Sequence, residues 1–200
     1  DAERLLARIR GIHRRVSGVD ELGQPYAASD PHLLAWVHAA EAQSFLAAYQ
    51  TYAARPLSDA DADRYVAQIG SVSARLGVVD PPQTVASLDA VIAAYRPELM
   101  ASAAALDAAS FLVHDPPVTC VARVGYRPFV AGALAITPPW VRTMLGLRAG
   151  PERGDAARVA SVRPFVGLLD WAMDHPSALP LPEGWEHTPP VSARPLDPAS

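Results

Sequence analysis

Apolar residues recur along most of this chain at the three- and four-residue spacing of a helix, and no run alternates opposite a plausible strand partner. Leu5, Leu6, Ile9, Ile12 and Val16 make one stripe, so a first helix is expected from about Ala2 to Ser17, with Gly18 as its left-handed C-terminal residue. A loop through Gly23-Gln24-Pro25 leads to Asp30-Pro31, where aspartate can cap exposed N–H groups and proline suits the first helical turn. The second helix should reach about Arg55, with Leu34, Val37, His38, Glu41, Phe45, Ala48, Tyr49 and Tyr52 on its inward face. Ser58 opens a third helix, with Asp61 in the place of a capping-box glutamate. Tyr65, Ile69, Val72 and Leu76 form its stripe and Gly77 stops it.

Asp80-Pro81-Pro82 reads as a stiff turn, and Thr84 caps a helix through Leu88, Ile92 and Tyr95. Pro97 breaks that helix, because proline lacks a donor and crowds the preceding turn. A further helix is expected from Glu98 to about Val113, where the Ala103-Ala104-Ala105 run lets a neighbour approach closely. His114 would lie at its exposed end, where a cation favours the helix dipole. Val118 to Val124 reads as extended chain or a short helix, and Tyr126 to Ile136 as a helix buried around most of its circumference. Thr137-Pro138-Pro139 restarts a helix over Trp140 to Leu147, and a last one spans about Asp155 to Asp174, with a kink expected at Pro164. The fold class is therefore all-α: one multi-helix domain over residues 1–176. A Pro-rich extended tail over 177–200 follows.

Composition narrows the function classes. A net charge of -4 with scattered basic residues gives no electrostatic footprint for nucleic acid. Half the residues are apolar, yet no apolar run approaches the roughly 20 needed to span a bilayer, so no transmembrane segment is expected. The one cysteine, Cys120, excludes an internal disulfide framework and a cysteine-rich zinc site, and with no signal peptide it suits a cytoplasmic location. The chain opens at Asp1 inside what reads as a helix, so residues are expected upstream of it. Self-association into a homo-oligomer stays open.

The residues with chemistry to offer lie on the first two helices. His13 falls inside the apolar stripe of the first, with Arg10 one turn earlier, and is either a satisfied core histidine or a ligand. His38 and Glu41, three residues apart on the second, can touch each other or a shared ligand. No Gly-rich phosphate loop, dinucleotide fingerprint, nucleophile elbow or paired-histidine zinc helix is present. A di-metal carboxylate enzyme needs inward glutamates and Glu-x-x-His motifs on separate helices, whereas this chain has His38-x-x-Glu41 in reverse order. A haem site needs a helix-borne histidine facing an apolar cavity, small residues beside the macrocycle and cations for its propionates. His13, the alanine-rich helices and Arg10 meet those needs in kind.

Arg10-x-x-His13-x-x-Val16-x-Gly18, followed by Tyr26-Ala27-x-x-Asp30-Pro31-x-Leu33-Leu34-x-Trp36-Val37-His38-Ala39, resembles the signature of the family of latex clearing protein (rubber oxygenase) and the oxygenase of the mycophenolic acid pathway. The resemblance runs from about Ala2 to Leu112. It implies an all-α domain around a b-type haem used with dioxygen on an apolar small-molecule substrate. His13 would be the proximal iron ligand, with Arg10 on a propionate and Trp36, His38 and Glu41 near the pocket or bracing it. It also implies that the ring nitrogen of His13 not bound to iron donates to a carbonyl or carboxylate. The competing readings are a non-catalytic helical protein that binds an apolar ligand or partner in the same cavity, and the di-metal enzyme.

Overall fold

Caps and breakers fix most helix ends where their chemistry places them. The structure is a computed structural model that describes residues 2–116, 120–147 and 152–175. Helix α1 spans Ala2–His13, α2 Pro31–Tyr52, α3 Asp59–Leu76 and α4 Val85–Tyr95; a 3-10 turn, Arg96–Glu98, separates α4 from α5, Ala103–His114. Helices α6 (Cys120–Ile136), α7 (Pro139–Met144) and α8 (Glu152–Asp174) complete the described residues. The N–H groups of His32 and Leu33 donate to Asp30 at the start of α2. Ser58 caps α3, and Thr84 and Ser87 form a reciprocal capping box on α4. Gly77 ends α3 in the left-handed region, at φ 117°, as a C-terminal glycine should.

Four expectations need correction. The first helix ends at His13, and Gly18 belongs to a small antiparallel hairpin, β1 (Ser17–Val19) with β2 (Pro25–Ala27), in which it pairs with Tyr26. A Cβ at Gly18 would fall 2.8 Å from the Tyr26 hydroxyl, so the glycine serves the tyrosine ring lying across it. Asp20 ties the hairpin turn by accepting the Leu22 and Gln24 N–H groups. The fifth helix starts at Ala103, not Glu98, because Pro97 holds a 3-10 turn and Ser102 supplies the cap. Ala103 and Ala104 at its start are exposed. The Ala103 and Ala104 N–H groups donate to the Glu21 carboxylate from the hairpin tip.

The core gathers where α2, α3 and α4 meet, around Ala39, Ala42, Leu46, Val66, Leu88 and Ile92. Here lies the third correction. Val37, Phe45 and Tyr49, expected to face inward, are 56%, 58% and 49% exposed. The helix turns its alanines inward instead, because small side chains let two neighbouring helices approach closely. Helix α6 packs on α8, with Phe129 and Phe165 edge to face at 4.5 Å, and the Tyr52 hydroxyl donates to the Gly132 carbonyl at 2.9 Å. Among its residues from Tyr126 to Ile136 only Gly132 is fully buried, so α6 is covered on one side rather than all round. Arg142, 4% exposed, joins α7 to this pair through the Leu134 carbonyl and Asp155, which Arg158 also holds. The described helices thus form an all-α fold with one small hairpin. None of them is long and apolar enough to cross a membrane. Val118, Thr119 and the tail 177–200 lie outside the described residues.

Candidate functional site

His13 is the last residue of α1 and is half-buried; its Nδ1 is shielded from solvent and has no hydrogen-bond partner. No carbonyl or carboxylate reaches that nitrogen, contrary to the expected orienting bond. Leaving a buried polar group unpaired costs about 1–3 kcal/mol, so the ring has unused bonding capacity. Arg10, one turn earlier on α1, is already engaged. Its Nη1 donates to the Arg75 carbonyl at 2.7 Å, closing the C-terminal turn of α3, where Arg75 also pairs with Glu3.

His38 and Glu41 come together as their spacing requires. His38 Nδ1 stands 3.6 Å from Glu41 Oε2, beyond hydrogen-bond length, with the imidazole 15% and the carboxylate 51% exposed. Burial lowers the His38 pKa below the ordinary histidine value; the charge of His13 acts in the same direction, and Glu41 opposes both. His13 is therefore close enough to His38 for its charge to register there. Tyr65 on α3 joins the group: burial raises its pKa, Glu41 raises it further, and its shielded hydroxyl lacks a partner. The sequence reading placed Tyr65 in a core stripe and missed this. A tyrosine within a buried stripe carries a hydroxyl that needs a partner, and that was the available signal.

His38 lines a cavity of about 220 Å³ between α2, α3, α4 and the loop before α4, with Tyr95 on its α4 side. Small residues shape it: Ala35, Ala39 and Ala42 from α2, with Gly70 and Ser73 from α3. The Ser73 hydroxyl is already committed to the Ile69 carbonyl. Trp36 lies elsewhere. Two residues along a helix turn it about 200°, so Trp36 points from the opposite side of α2 and packs on Tyr95 at 5.5 Å between ring centroids. It lines a larger cavity, about 770 Å³, with Ala40, Ala47, Met100, Trp140 and Met144. The polar side chains there bond within the protein: Ser44 to the Ala40 carbonyl, Gln43 to Asp89 and Thr137 to the Ala133 carbonyl. The structure thus brings His38 and Glu41 together, sets His13 within electrostatic reach of His38 and Tyr65 within that of Glu41, and turns Trp36 to another cavity.

The family model for the ER-bound oxygenase mpaB/B'/Rubber oxygenase, catalytic domain, matches residues 1–171. The chain belongs to that family. No curated relative and no solved structure matches it. Membership makes this an oxygenase-type catalytic domain and extends the likeness past Leu112, through α6 and α8. A di-metal centre finds no support in the side chains. Among the described residues, no group of three or more His, Cys, Asp or Glu side chains is placed to hold an ion. A haem asks less of the family's fold, since one axial imidazole suffices for its iron.

Proposed function

We propose that this chain is the catalytic domain of a haem b-dependent oxygenase acting with dioxygen on an apolar small molecule, with His13 as the iron ligand. The observation that carries the reading is the half-buried imidazole of His13 at the end of α1, within electrostatic reach of His38, in a member of an oxygenase family. The residues present fit the group in three respects. The imidazole of His13 is only half-buried, and no hydrogen bond among the described residues claims it. The exposed apolar side chains Ile12, Val37 and Phe45 flank the two histidines on their own helices, and a flat macrocycle would cover such a surface. Arg10 uses one of its five N–H donors on Arg75 and has others to offer a propionate.

The oxygen chemistry would be supplied by the haem when bound. The chain's own residues do the rest. His13 supplies the imidazole for the iron, His38 and Glu41 set the polarity beside it, and the apolar border excludes water from an apolar substrate. The test is an absorption spectrum of the protein produced with haem supplementation. A Soret band that His13→Ala abolishes or shifts is expected. A wild-type protein without the band, or a His13→Ala variant with an unchanged spectrum, overturns the reading.

One observation favours a second reading, carriage of an apolar small molecule without catalysis. The cavity on the Trp36 side of α2 is within the usual range for ligand pockets, and its polar side chains are already satisfied. It predicts a colourless protein with an apolar ligand recoverable by solvent extraction.

A further inference from the structure

Two loose ends lie where α3 packs on α2, with Tyr65 against the core that Ala39 and Ala42 share. The Tyr65 hydroxyl is buried without an acceptor, and His38 Nδ1 faces Glu41 across 3.6 Å, slightly too far for a hydrogen bond. Glu41 is one turn beyond His38 on the same face of α2, and α3, which carries Tyr65, packs along α2. A carboxylate has two oxygens and can accept from a phenol and an imidazole together. Glu41 is also half-exposed, so its side chain can turn without disturbing the core. We propose that Tyr65, Glu41 and His38 form one hydrogen-bonded chain, phenol to carboxylate to imidazole, that holds His38 protonated on Nδ1 with Nε2 as an acceptor.

The electrostatics agree with this placement, since Glu41 is the acidic group whose charge acts on both Tyr65 and His38. The chain also removes the unpaired buried hydroxyl, which native interiors rarely retain. Tyr65 is then a positioning residue. It touches no reacting atom and acts by fixing Glu41, which fixes the tautomer and ring plane of His38, in the way a carboxylate behind a histidine commonly does. His38 in turn borders a mostly apolar cavity that also holds Asp80 and Tyr95, where an acceptor nitrogen can receive a hydrogen bond or a proton from a small guest. That role for His38 rests on the oxygenase reading; the hydrogen-bonded chain does not.

The test uses the protein without added haem. Nitrogen-15 NMR at a pH where His38 is neutral reports its tautomer directly. Wild type is expected to favour Nδ1–H by about tenfold or more, as a hydrogen bond to a charged acceptor confers. Tyr65→Phe should reduce that preference several-fold and lower the melting temperature. Glu41→Gln, at a half-exposed position where folding is not at risk, should abolish the preference. An unchanged tautomer ratio in either variant overturns the proposal. So does a higher melting temperature for Tyr65→Phe, the sign of a hydroxyl that was unpaired all along. A wild-type protein with no Soret band but the expected tautomer shifts would sink the haem reading and leave this one standing.

Discussion

Alanine at position 70 sets helix propensity against a steric clash, and the distances show which prevails. Gly70 lies inside α3, where replacing glycine by alanine ordinarily stabilises a helix by about 0.8–1.0 kcal/mol. The added Cβ would fall 2.8 Å from the Pro82 carbonyl oxygen, 3.2 Å from Gln83 Nε2 and 3.5 Å from Pro81 Cβ. The closest of these is backbone in a turn stiffened by two prolines, so no side-chain rotation relieves it. Helix and turn must separate, at the usual overpacking cost of about 1–3 kcal/mol. Gly167→Ala in α8 is the control, because nothing lies within 4 Å of the place its new methyl would occupy. The propensity gain is common to both variants and cancels in the comparison, leaving the clash itself, about 1–3 kcal/mol. Urea unfolding followed by far-UV circular dichroism should place Gly70→Ala below Gly167→Ala by that margin, or by about 2–4 °C per kcal/mol on heating. Equal stability of the two variants would refute the reasoning, for it would mean that the α3–turn contact yields freely. Gly70 also lines the His38 cavity, so the same displacement should alter the environment of that imidazole.

Asp155→Asn should lower the melting temperature markedly, because it leaves the Arg142 charge, 4% exposed, without its carboxylate. Hydrogen bonding from Arg142, joined by Arg158 and opposed by burial, holds the Asp155 pKa below the ordinary carboxylate range. A depressed carboxylate stabilises fully above its unfolded value, about 3.9, and that contribution is lost as pH falls through the lower folded value. Acid unfolding monitored by fluorescence should therefore be steeper below pH ~4 in wild type than in Asp155→Asn. Thr84→Ala removes one half of the α4 capping box and should cost about 1 kcal/mol in urea denaturation. Gly77→Ala forces a side chain into the left-handed region at φ 117°, where the Leu34 Cδ1 is 3.3 Å away. A loss of at least about 1–2 kcal/mol is expected by the same assay.

The starts of α2, α3 and α4 and the end of α3 were legible because each is set locally. Asp30, Ser58 and Thr84 accept N–H groups a few residues away, and Gly77 adopts its conformation whatever packs beside it. The hairpin was not legible, since three residues a side leave too little alternation to register as strands. Nor was the orientation of α2. Its sequence offers two apolar faces, one with Val37, Phe45 and Tyr49 and one with Ala39, Ala42 and Leu46. Hydrophobicity ranks the aromatic face higher, yet close approach by α3 and α4 selects the alanine face. Periodicity reports that a face is apolar and leaves open which neighbour will take it.

The same limit governs the site. Arg10, His13, Trp36, His38 and Glu41 form a recognisable string in the sequence, and the family model spans all of them. Helical geometry then divides it: His38 turns to the small cavity and Trp36, two residues earlier, to the large one. Helix α2 is thus a partition with working residues on both sides, and its alanines serve each. Ala35, Ala39 and Ala42 border the His38 cavity, while Ala40 and Ala47 border the apolar one. Alanine recurrence in this helix therefore marks two slim faces, one beside the small cavity and the neighbouring helices, the other beside the larger apolar cavity. A larger residue on one side should leave the other cavity intact, and a motif whose members sit on opposite sides of one wall need not act on one ligand.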